Sequence, residues 1–87
     1  MNIINVNFLK IRDISEQLIS LMLRKNPNCH YTVFVTLWED NTFMIVCRNG
    51  EPKGNGMIIY RDYRWYENKI SYKEYEVPHR MAVSEDE

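Results

Sequence analysis

The segment from Met57 to Val77 constrains the fold more than any other part of the chain, because its side chains satisfy one antiparallel alignment and fail its neighbours. With a turn at Glu67-Asn68, Trp65 faces Ile70, Tyr63 faces Tyr72 and Arg61 faces Glu74. On the other side Tyr60 faces Tyr75, Asp62 faces Lys73 and Ile58 faces Val77. Two opposite-charge pairs and two tyrosine pairs arise together, each contributing about 0.2–1 kcal/mol. A slip of one residue moves every side chain to the other face and loses them all. The spacing predicts a β-hairpin with aromatics on both faces. Glu67 is a poor residue for the positive φ of a tight type I′ turn, so a slightly longer loop is also compatible.

A second hairpin precedes it. Cys29 to Trp38 is rich in β-branched and aromatic residues and has strand length, and Thr42 to Arg48 supplies a partner. If Glu39-Asp40-Asn41 is a three-residue loop with Asn41 left-handed, Trp38 lies opposite Thr42. Leu37, Val35 and Val33 then pair with Phe43, Ile45 and Cys47 on one face. The other face carries Phe34, Trp38, Met44 and Val46. A hairpin apolar on both sides is expected in mid-sheet, with a helix over one face and a further cover over the other.

The helix is expected over Ile14 to Lys25, with an apolar stripe at Ile14, Leu18, Leu21 and Met22. Asp13 followed by Glu16 reads as a capping box at its start. Arg24 and Lys25 suit the negative end of the helix dipole, and Asn26-Pro27-Asn28 ends it. Before the helix, Ile4, Val6 and Phe8 alternate with Asn5 and Asn7, which reads as a half-buried strand over 2–9. Arg48 to Gly56 contains all three glycines and reads as a loop. The expected fold is α+β in the order β-α-β-β-β-β. It is one small domain over residues 1–80, an antiparallel sheet of four to five strands with one helix packed on a face. Residues 81–87 form an acidic tail.

Size and charge restrict the function. A chain of 87 residues holds one core. The first residues lack the basic and apolar regions of a secretory signal, and no apolar run approaches the roughly 18–20 residues that span a bilayer. Location in the cytoplasm, with reduced thiols and no membrane contact, is the expectation. Lys and Arg number 11 against 12 Asp and Glu, too even a balance for affinity to nucleic acid to be visible from charge alone. A single alanine, with nine asparagines and nine isoleucines, points to an AT-rich genome such as that of a bacteriophage or low-GC bacterium.

Chemistry-bearing constellations are weak. Cys29, His30, Cys47 and His79 match no zinc spacing. Cys47 faces Val33, about 13 Å along the strand from Cys29, too far for a disulfide. The glycine-rich loop lacks the spacing of a phosphate cradle. The serines and the Glu39-Asp40 pair form no catalytic arrangement. Neither metal nor cofactor is expected, and the chain is not read as an enzyme.

The expected function is that of a non-enzymatic protein-binding module, a phage or mobile-element factor that inhibits or modulates a host protein. The expected contact is the aromatic hairpin, through Tyr63, Trp65, Tyr66 and Tyr72 with Arg61 and Arg64. Phe34, Trp38 and Met44 are a second contact face, suited to a homodimer. The alternative is a regulatory protein that binds RNA or single-stranded nucleic acid. The same rings would stack on bases while Arg61, Arg64, Lys69, Lys73 and Arg80 follow the phosphates.

Overall fold

A computed structural model describes residues 3–79. One helix, α1 (Ile3–Lys25), is followed by four strands: β1 (Tyr31–Leu37), β2 (Phe43–Pro52), β3 (Met57–Tyr66) and β4 (Lys69–Pro78). The strands form an antiparallel sheet in chain order, β1-β2-β3-β4, and α1 packs on one face. This is the expected small α+β domain. The expected tail over 81–87 lies outside the described residues.

Both hairpin registers are those the side chains specify. Leu37, Val35 and Val33 pair with Phe43, Ile45 and Cys47. Trp65, Tyr63, Arg61, Tyr60, Asp62 and Ile58 pair with Ile70, Tyr72, Glu74, Tyr75, Lys73 and Val77. Asn41 is left-handed at φ 70°, and the β3–β4 turn has positive φ at Glu67 (51°) and Asn68 (63°). The turn therefore takes the tight primed form despite Glu67. At the first turn, the Asp40 carboxylate accepts from Thr42 N at 3.0 Å and Thr42 Oγ1 at 2.6 Å. These bonds hold the Asp40 carboxyl below its ordinary pKa.

The start of the chain differs from the expectation. Residues Ile3–Lys25 are one helix, so the predicted strand over 2–9 is not formed, and Asp13 sits in mid-helix rather than at a cap. No glycine or proline lies between Ile3 and Asn26. Extending a helix from its existing end costs no new nucleus, whereas a strand there would have needed a sheet edge of its own. The helix ends as expected, with Arg24 and Lys25 in its last turn and Asn26 N–H donating to Met22 O at 2.9 Å.

Ile14, Leu18 and Met22 bury one stripe of the helix against Phe43, Ile45 and Cys47 of β2 and Tyr63 of β3. Ile11, Ile19, Leu21, Cys29, Val33 and Trp65 close around this core. A helix is about 10 Å wide and strands lie about 4.8 Å apart, so α1 covers the two central strands and leaves the flanks of β1 and β4 open. The β1–β2 hairpin is thus not in mid-sheet: β2 is central and β1 is an edge. The expected loop over 48–56 is also shorter, because β2 runs to Pro52 and β3 starts at Met57. Gly50 lies within β2 opposite Tyr60, where an added Cβ would stand 2.9 Å from the ring. Gly50 thus leaves room for Tyr60 to lie across the strand.

Candidate functional site

Residues directly opposite one another in a ladder point to the same side of a sheet. Starting from the buried Ile45, the helix side carries Tyr31, Val33, Val35 and Leu37 from β1 and Phe43, Cys47, Asn49 and Glu51 from β2. From β3 it carries Ile59, Arg61, Tyr63 and Trp65, and from β4 Ile70, Tyr72, Glu74 and Glu76. The opposite, open side carries Phe34, Met44, Val46 and Arg48. Beside these lie Tyr60, Asp62, Arg64 and Tyr66 of β3 and Lys69, Lys73 and Tyr75 of β4. Among the described residues no second layer covers this side.

The hairpin residues singled out from sequence divide between the two sides. Tyr63 is 6% exposed, and its hydroxyl has no hydrogen-bond partner among the described residues. Trp65, expected at a free tip, stacks on Phe43 with centroids 5.0 Å apart and is half-buried. Arg61 donates to Asn49 Oδ1 at 3.0 Å and Glu51 Oε1 at 2.8 Å, and Glu74 lies at 3.6 Å. The bond to Glu51 raises the guanidinium pKa further. Tyr63 and Trp65 thus join the sheet to the helix layer, Arg61 is tied to residues of β2 and β4, and all three present little to a partner.

Tyr72 is 47% exposed at the flank of that side, packed against Tyr63 at 4.8 Å, with Lys25 5.8 Å above its ring. Its hydroxyl donates to Glu74 at 2.5 Å. Partial burial, with the bond to Glu74, pushes the Tyr72 pKa up to about 12.

Arg64 and Tyr66 stand on the open side, together with the second expected set, Phe34, Trp38 and Met44. Tyr66 lies opposite Met44, which lies opposite Thr36. Trp38 meets Tyr66 edge-on at 5.8 Å. Trp38 is 42% exposed and Tyr66 37%, so two aromatics share one uncovered end of the sheet, and Phe34, 45% exposed, stands farther along the same side. Arg64, between Val46 and Ser71 in the ladder, stands exposed beside them.

The middle of the open side is held by ions. Arg48 donates to Asp62 through Nε at 2.9 Å and Nη2 at 3.2 Å, a two-point pairing. Its guanidinium lies 5.1 Å from the Phe34 ring and 5.4 Å from that of Tyr60. Tyr75 donates to the same carboxylate at 3.2 Å. The bond to Asp62 raises the Arg48 pKa, and partial burial raises that of Tyr75. Asp62 is opposite both Arg48 and Lys73. The rigid guanidinium fork takes the carboxylate, and Lys73 lies instead over the Tyr75 ring at 5.1 Å. The expected Asp62–Lys73 pair is replaced by Asp62–Arg48.

Sequence reasoning ended the strand and began the loop at Arg48, and missed its place at the centre of this face. Its spacing of two from Val46 carried the signal: continuing the β2 alternation from Val46 to Arg48 puts it on the face of Phe34.

The two sides also differ in charge. The open side holds Arg48, Arg64, Lys69 and Lys73 against Asp62, whereas Glu51, Glu74 and Glu76 lie on the helix side with Arg61. Cys47 is fully buried, 3.8 Å from Met22 Sδ, and burial pushes its thiol up to about 11. Among the described residues no three metal-binding side chains gather, and no helix is long and apolar enough to cross a membrane. No family model, no curated protein and no solved structure matches the chain.

Proposed function

We propose that this chain is a non-enzymatic protein-binding module that acts in the cytoplasm through the open side of its sheet. The observation that carries the reading is the uncovered aromatic surface of this side, Trp38 with Tyr66 and Met44 at one end and Phe34 farther along β1. Aromatics flanked by an exposed arginine are the residue types on which binding energy concentrates. The AT-rich residue usage fits a factor of phage or mobile-element origin that inhibits or redirects a host protein.

A second reading rests on the segregation of charge. Of the acids in the hairpin, Glu74 and Glu76 lie on the helix side and Glu67 in the turn, so the open side combines four basic residues and five aromatics with one acid, Asp62. Rings and cations on one sheet face also suit single-stranded nucleic acid.

One experiment separates the readings. Lysate from the native host is passed over wild type and over Trp38→Ala/Tyr66→Ala, with and without nuclease, at about 50 and 200 mM salt. A protein retained by wild type, lost with the double variant and indifferent to nuclease supports the first reading. Capture that needs nucleic acid and collapses with salt replaces it with the second. Retention by the double variant equal to wild type removes the open side from both.

A further inference from the structure

The two edges of the sheet differ in kind. The edge strand β4 carries Lys69, Lys73, Glu74 and Glu76 and ends at Pro78, features that discourage pairing with another chain. The edge strand β1, Tyr31-Thr-Val-Phe-Val-Thr-Leu37, has no charge, no proline and no glycine, and pairs with β2 without a bulge. All its residues except Val33 are exposed.

The outward groups of β1 follow from the ladder. Trp38 N–H donates to Thr42 O at 2.9 Å, so these two form a hydrogen-bonded pair. Such pairs alternate along antiparallel strands. Thr36, Phe34 and Thr32 therefore turn their N–H and C=O groups toward β2. Leu37, Val35, Val33 and Tyr31 turn theirs outward, where among the described residues nothing pairs with them.

The sequence of this edge is self-complementary. Thr32-Val-Phe-Val-Thr36 reads the same in both directions. Two such strands laid antiparallel about Phe34 place threonine on threonine, valine on valine and phenylalanine on phenylalanine. Every matched pair shares a sheet face, and the pairs Tyr31–Leu37 and Val33–Val35 join outward-directed groups on both strands. Phe34 meets its copy on the axis as a non-hydrogen-bonded pair, the class with the closer side chains. No like charges meet.

We propose that two copies of this chain pair antiparallel through β1 about a two-fold axis at Phe34, giving a continuous eight-stranded sheet with both helices on one side. A second copy is the fitting occupant because the match is of the strand with itself, as a two-fold contact requires. The pairing runs through the backbone edge of β1 and does not rest on the open-side reading, although Phe34 belongs to both surfaces.

The test is sedimentation equilibrium of the full chain over a series reaching millimolar concentration, with three variants. Wild type rises from 10.5 kDa toward twice that mass. Val35→Pro removes an outward N–H that β2 does not use, a place where an edge strand tolerates proline. It stays at monomer mass with wild-type circular dichroism. Under oxidation Phe34→Cys forms a 34–34 disulfide dimer, located by peptide mapping. Thr36→Cys does not, because its copy lies about four residues, or 13 Å, away along the strand.

Wild type at monomer mass throughout overturns the proposal. So does a Val35→Pro dimer, or a Thr36→Cys cross-link as extensive as that of Phe34→Cys. If Val35→Pro fails to fold, the two cysteine variants decide.

Discussion

Removing Arg48 should cost more than removing the charge of Asp62, and the asymmetry follows from solvent access. The Asp62 side chain is 14% exposed and that of Arg48 34%. Arg48→Met deletes the two-point donor and leaves an almost dry carboxylate with only the Tyr75 hydroxyl. Hydrogen bonds to charged groups contribute about 1.5–3 kcal/mol, and a stranded buried charge adds its own desolvation cost, so a loss of about 3 kcal/mol is expected. Asp62→Asn leaves a guanidinium that still reaches water and still lies against Phe34 and Tyr60, so the loss should be about 1.5 kcal/mol.

The double variant leaves neither charge stranded. It should be destabilised less than the sum of the singles, with a coupling of about 1–2 kcal/mol. Urea unfolding followed by tryptophan fluorescence measures all four species. For a domain of this size the Arg48→Met loss corresponds to a fall in Tm of roughly 12–24 °C. Additivity within about 0.3 kcal/mol, or an Asp62→Asn cost above that of Arg48→Met, would refute the account of this ion pair.

Other expectations are shorter. Tyr63→Phe removes a buried hydroxyl that no described residue satisfies, and should leave stability unchanged or raise it by about 1 kcal/mol in the same urea titration. Glu67→Asn combined with Asn68→Gly gives the positive-φ turn its preferred residues; thermal unfolding should show a gain of about 1 kcal/mol. Native protein at pH 8 should react with a thiol reagent at Cys29 and not at Cys47 until it unfolds, read by peptide mapping. Because burial raises the Cys47 pKa to about 11 against an ordinary 9.0, the unfolded chain loses this proton first. Stability should therefore fall as pH climbs from 9 toward 11, and Cys47→Ala should flatten that part of the curve.

The registers of both hairpins were legible because period-two patterning and opposed side chains over-determine them: a shift by one residue would have put Ile45 in water and lost both tyrosine pairs. The helix core at Ile14, Leu18 and Met22 was legible for the same reason at period 3.6. The first turns of α1 were not. Ile4, Val6 and Phe8 satisfy a strand pattern over too few residues to exclude a helix, and only the continuous chain into Ile11 and Ile14 decides between them.

The candidate site was half legible. Composition found the aromatics and arginines, but sequence proximity grouped Trp65 and Tyr63 with Tyr66, although successive strand residues face opposite ways. Grouping by sheet side joins Tyr66 and Arg64 to Phe34, Trp38 and Met44, which come from a different hairpin. A net charge counted along the chain likewise averages two faces of different sign.

The order of the strands in the sheet is the order of the strands in the chain, and this sets how the protein reaches its fold. Each strand pairs only with a neighbour in sequence, across turns as short as Glu67-Asn68. No long loop has to close before a ladder can grow, so the entropic barrier to pairing is low and folding is expected to be fast for a sheet protein. The last pairing to gain from such a zipper is the one with a single neighbour and little cover. For β1 that leaves β2 as its whole intramolecular support, and in a crowded cell the time before that ladder closes is when a charge-free strand is most open to the wrong chain.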